Sequence, residues 1–77
     1  MNYDLSDKFN AIFNSGKSIR FQNVTKTKKG VSYNRIMWEE VEQTTGEQIT
    51  SCFDWWGFDT IEDAVEDCLT RIVIEQM

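Results

Sequence analysis

Between residues 61 and 72 the apolar side chains Ile61, Ala64, Val65, Cys68, Leu69 and Ile72 recur at i, i+3, i+4, i+7, i+8 and i+11. That is the period of a helix with one apolar stripe. Such a stripe must be covered by another part of the chain, and this requirement limits the folds available. Asp59 followed by Glu62, or Thr60 followed by Asp63, supplies a capping pair at the start of the helix. The acids of its first turn also oppose the positive end of the helix dipole.

The partner layer has to come from residues upstream. Ile19 and Phe21 alternate with Arg20 and Gln22 within Ser18 to Thr25, the two-residue period of a strand with one buried face. Lys26, Thr27, Lys28, Lys29 and Gly30 then read as a polar turn. A longer extended run follows from Ser32 to about Glu42 and closes at Thr44, Thr45, Gly46 and Glu47, a hairpin signal containing glycine. A third strand is expected from Gln48 to about Trp55. Ahead of all three, Leu5, Phe9, Ile12 and Phe13 fall at i, i+4, i+7 and i+8, with Asp4 or Ser6 as N-cap and Gly16 placed to stop the helix. The expected fold is α+β: a two-layer α-β-β-β-α unit over residues 1–77, its three-stranded antiparallel meander covered on one face by both helices.

This order and length resemble the double-stranded-RNA-binding domain. That family grips duplex phosphates with lysines at the start of its second helix, where this chain has Asp59, Glu62, Asp63, Glu66 and Asp67. The resemblance therefore implies the topology and not the RNA function.

Charge is unevenly distributed. Residues 1–36 hold seven Lys/Arg against two acids, while residues 37–77 hold one Arg against eleven acids, within a net charge of −5. The overall sign argues against generic nucleic-acid binding, which needs a dense positive footprint. The acids on the second helix include like-charge i, i+4 pairs, Glu62 with Glu66 and Asp63 with Asp67, which cost an isolated helix a few tenths of a kcal/mol each, roughly. One reading is a solvated face. The other is an anionic surface offered to a basic protein groove, carboxylates standing where phosphates would sit, with Glu39, Glu40, Glu42, Glu47 and Asp54 able to extend it.

Catalytic chemistry has little support. The chain has no histidine, which removes the commonest general base and metal ligand. Its two cysteines, Cys52 and Cys68, lack metal-ligand spacing and read as buried thiols in a reducing cytosol. No calcium-loop pattern accompanies the carboxylates. No cofactor or metal is expected. The N-terminus lacks the regions of a signal peptide, and no apolar run approaches the roughly 20 residues that span a bilayer.

The aromatic residues concentrate in FDWWGFDT, residues 53–60. Strand side chains alternate between faces, so Trp55 and Trp56 cannot both enter the core of a regular strand. Phe53 and one tryptophan are expected to finish the core face, Gly57 to turn the chain, and Phe58 to fold back onto the foot of the second helix as in a hydrophobic staple. Trp38 is expected beside the tryptophan left outside. An exposed tryptophan is a common hot spot in protein interfaces. Base stacking would call for neighbouring cations, and the nearest charges in sequence are Asp54 and Asp59.

The sequence thus predicts a small, non-enzymatic protein that binds a partner with a basic surface through Asp59, Glu62, Asp63, Glu66, Asp67, Trp38, Trp55 and Trp56. In general character it resembles the small inhibitors that phages and mobile elements use against host defence, anti-CRISPR proteins and DNA mimics among them. That resemblance implies a basic nucleic-acid channel in the host cytoplasm as the target. The alternative is a nucleic-acid-binding accessory domain using Arg20, Lys26, Lys28, Lys29 and Arg35. A homodimer joining the basic half of one copy to the acidic half of another is a third expectation.

Overall fold

A computed structural model describes residues 4–52 and 55–76; the expectations placed on Phe53 and Asp54 lie outside the described residues. The order is α1 (Leu5–Asn14), β1 (Ile19–Lys28), β2 (Val31–Val41), β3 (Gln48–Ser51) and α2 (Ile61–Gln76). The strands form an antiparallel sheet in the order β1-β2-β3, which is the expected α+β arrangement.

α1 begins as its sequence directs. Asp4 accepts a hydrogen bond from the Asp7 amide at 2.9 Å, satisfying one of the otherwise unpaired first-turn donors. At the start of α2 the Thr60 hydroxyl accepts from the Asp63 amide at 3.2 Å, so Thr60 and not Asp59 closes this end. Lys8 approaches Glu66 at 3.8 Å and Lys17, beyond the end of α1, meets Glu75 at 2.9 Å. The two helices therefore lie side by side and run in the same direction. The Glu75 carboxylate holds the Lys17 ammonium above the ordinary lysine pKa, and Lys17 in turn keeps Glu75 below the usual carboxylate range.

The core lies between this helix pair and one face of the sheet. It contains Ile12, Trp38, Cys52, Ala64, Val65, Cys68 and Ile72, with Leu5, Ile19, Phe21, Ile36, Phe58, Ile61 and Leu69 packed around them. Phe9 of α1 meets Phe21 of β1 edge to face, ring centroids 5.6 Å apart. Both cysteines are buried, and burial pushes the Cys68 thiol up to about 12. Trp38 corrects an expectation. It is only 2% exposed, because Phe21↔Trp38 pairing puts it in phase with the core row Phe21, Ile36, and not beside a surface ring. Enclosing an indole of this size is worth about 4–6 kcal/mol relative to leaving it in water.

Two boundaries also differ from the sequence reading. β1 does not end at Thr25: Lys26 pairs with Tyr33 and Lys28 with Val31, and only Lys29 and Gly30 form the turn. Both have positive φ, 52° and 77°, the geometry of a two-residue turn whose twist matches that of the strands it joins. The polar composition of residues 26–30 hid a continuing ladder. β3 ends at Ser51, short of Trp55. Extending the Glu39↔Ser51 register would set Ile36 opposite residue 54, yet Phe58 occupies that place through hydrogen bonds of 2.8 and 2.9 Å. The chain between Cys52 and Phe58 is therefore four residues longer than that register needs.

The hairpin is longer than the helix layer. Up to Phe21 and Ile36 the helix-side row is apolar apart from Glu40, which meets Lys17; past them it becomes Asn23, Thr25, Thr27, Ser32 and Asn34, all exposed. The distal arm from Val31 to Arg35, about 17 Å at the usual strand rise, projects beyond the helices. Its larger side chains occupy the opposite face.

Candidate partner-binding site

Residues 55–57, the described part of the connection to α2, lie on that opposite face of the arm. Gly57 comes so close that a Cβ there would stand 2.9 Å from both the Ile36 carbonyl oxygen and Met37 Cγ, at a φ of 80°. Only glycine fits such an approach without displacement. Arg35 holds the loop in place. Its Nε donates to the Trp56 carbonyl at 3.1 Å, its Nη2 to the Gly57 carbonyl at 3.1 Å, and its Nη1 to Asp59 Oδ1. Arg35 is 7% exposed, so the sequence reading of it as a surface cation is corrected: it is a structural clamp. Asp59 belongs to the same clamp.

Two further cations meet the loop. Lys26 donates to the Trp55 carbonyl and places its ammonium 4.1 Å from the centre of the Trp55 ring. Lys28 lies 5.4 Å from the Trp56 ring centre and Arg35 4.8 Å. Tyr33 packs edge to face on Trp56 at 5.4 Å, and the two indoles are 5.9 Å apart. Trp55 is the outer one of the pair, 68% exposed, while Trp56 is half-buried. The sequence had set carboxylates beside these rings; among the described residues the fold sets three cations there. β pairing between Lys26 and Tyr33 is what moves the basic residues under the loop.

The ion pairs divide the cations of the chain into two groups. Lys8, Lys17, Arg20, Arg35 and Arg71 each have a carboxylate partner. Lys26, Lys28 and Lys29 have none among the described residues. Arg20, named with them from sequence, pairs with Glu39 directly across the ladder, 19 residues away in the chain.

The acidic residues are likewise redistributed. Asp67 is half-buried and accepts from Trp38 Nε1 at 2.7 Å, which takes it out of the anionic surface expected of it. Glu66 faces Lys8. Glu62 and Asp63 remain exposed, without an ion pair among the described residues. Because the helices run in parallel, Asp4 and Asp7 of α1 come to the same end as Glu62 and Asp63 of α2. The sequence reading missed these two, although acids in the first turns of both helices were the available signal.

The structure therefore separates what the sequence had grouped. Asp4, Asp7, Glu62 and Asp63 collect at the N-terminal end of the helix layer, and Trp55 with its lysines lies on the far face of the sheet. Among the described residues no helix is long and apolar enough to cross a membrane. No protein-family model, curated protein or solved structure matches the chain, so these surfaces are read from their own geometry and charge.

Proposed function

We propose that the protein is a non-enzymatic inhibitor or modulator that occupies a basic groove of a partner protein with the anionic end of its helix pair. What carries the reading is the convergence of Asp4, Asp7, Glu62 and Asp63, from two separate first turns, at one end of a layer where Lys8 is the neighbouring cation. Carboxylates gathered at the first turns of two parallel helices offer a nucleic-acid-binding groove the charge it normally meets as phosphate, and electrostatic complementarity of this kind speeds encounter and selects the partner. The small size, acidity and lack of histidine suit a protein that acts by steric or mimetic competition, as phage-encoded inhibitors of host defence complexes do.

The test is affinity capture from the source cell with wild-type bait and with a Glu62→Lys/Asp63→Lys bait, both checked for folding by circular dichroism. Wild type should retain a nucleic-acid-binding protein and lose it when excess nucleic acid is added. The double variant should retain none. Equal capture by both baits would rule the reading out.

A further inference from the structure

We infer that the outer sheet face around Trp55 is a second binding surface, and that its ligand is single-stranded nucleic acid. The inference stands apart from the anionic helix end and rests on a different set of residues.

Three observations converge on it. The first is the large exposure of Trp55, on a loop that Arg35 clamps with two backbone hydrogen bonds of 3.1 Å. A large apolar ring held out on a fixed backbone is preorganised for a flat partner, with little ordering cost left to meet on binding. The second is charge. Lys26, Lys28 and Lys29 lack carboxylate partners among the described residues, whereas the other five cations of the chain have them. Two of these three lysines already sit over indole rings, at 4.1 and 5.4 Å. An ammonium over a ring stands within reach of the phosphate that flanks a base stacked on that ring. The third is shape. The face belongs to a projecting two-stranded arm, and Tyr33, also exposed, offers another ring beside Trp56. Rings set next to a row of lysines make the combination that tracks a single strand, bases on the aromatics and backbone on the cations.

A duplex does not suit this surface, because its bases are already stacked and cannot reach the indoles. An acidic protein segment would meet the lysines and leave Trp55 without a planar partner.

The experiment titrates a fluorescein-labelled dT12 oligonucleotide with the full chain at 20 mM and 200 mM salt, following anisotropy and tryptophan quenching. Binding at low salt with quenching is expected, weakening at high salt as counterions are no longer released to advantage. Trp55→Ala should weaken it about ten-fold or more. Lys26→Ala/Lys28→Ala/Lys29→Ala should weaken it at least as much and flatten the salt dependence. Glu62→Gln/Asp63→Asn should leave it at least as strong, which keeps this surface distinguishable from the helix end. Thermal melts confirm that each variant is folded. No binding at 20 mM salt would overturn the inference. So would equal affinity for a dT12·dA12 duplex, full competition by poly-glutamate at matched charge, or a folded Trp55→Ala variant that binds like wild type.

Discussion

Trp38 donates its indole N–H to Asp67 across 2.7 Å, which ties the largest fully buried side chain to a carboxylate of the acidic helix. A residue that looks like part of a solvated charge run thereby serves the core. Asp67→Ala would leave a buried donor without its charged acceptor and should cost about 1.5–3 kcal/mol in urea unfolding. Asp67→Asn keeps an acceptor oxygen and should cost less. Equal stability of Asp67→Ala and wild type would show that the bond does not hold Trp38.

Arg35 should prove more valuable to the loop than its ion-pair partner. Arg35→Lys cannot reach the Trp56 carbonyl, the Gly57 carbonyl and Asp59 together, since it lacks the planar fork. A loss of about 2–3 kcal/mol is expected, with a red shift of tryptophan emission as the loop lifts. The Asp59 side chain is 79% exposed, so Asp59→Ala should cost under about 1 kcal/mol. The reverse ranking would refute the clamp.

Gly57→Ala should be worse than Gly30→Ala. Both positions have positive φ, but a Cβ at 30 meets nothing within 4 Å, while one at 57 meets backbone oxygen at 2.9 Å. Gly30→Ala should cost about 1–2 kcal/mol, the conformational part alone. Gly57→Ala adds the displacement of the loop and should exceed that in the same urea titration.

Stability should fall in alkaline solution in a way that depends on Cys68. Burial keeps its thiol neutral in the folded protein up to about 12, while the unfolded thiol ionises near 9. Between those values the unfolded chain binds fewer protons, so stability declines as pH rises, at a limiting slope of about 1.4 kcal/mol per pH unit. Below pH 9 the contribution is fully present. Lys17, its pKa raised mainly by Glu75, titrates in the same direction at higher pH. Comparing urea midpoints of wild type and Cys68→Ala from pH 8 to 10.5 isolates the thiol; parallel curves would contradict the burial account.

Element order and the helix starts were legible because short-range chemistry decides them. The stripe from Ile61 to Ile72, the Asp4 cap and the choice of Thr60 or Asp59 as cap all depend on residues three or four apart. The misread parts depend on pairings far apart in sequence. Lys26 and Lys28 look like turn residues until Tyr33 and Val31 are set opposite them. Arg35 looks like a free cation until a loop more than 20 residues downstream covers it. Trp38 did carry a local signal, since it stands two residues from Ile36 and so on the same strand face. The loop at Trp55 was announced by Gly57, but its seat on the arm was not, since nothing local says that residue 58 takes the place expected of residue 54.

β1 has only β2 beside it, so ten residues of backbone lie along an open sheet edge. An edge of that length can template another chain. Here the side chains work against it. Two copies of β1 paired antiparallel with like faces aligned overlap most in two registers, which set Arg20 opposite Lys26 or opposite Lys28, twice over. Either juxtaposition of like charges repels. The lysines that equip the arm to meet a polyanion also keep the protein from adding its own strand to a neighbour's sheet, and an uncontrolled growth of sheets is thereby refused at the same positions where an anion is welcomed.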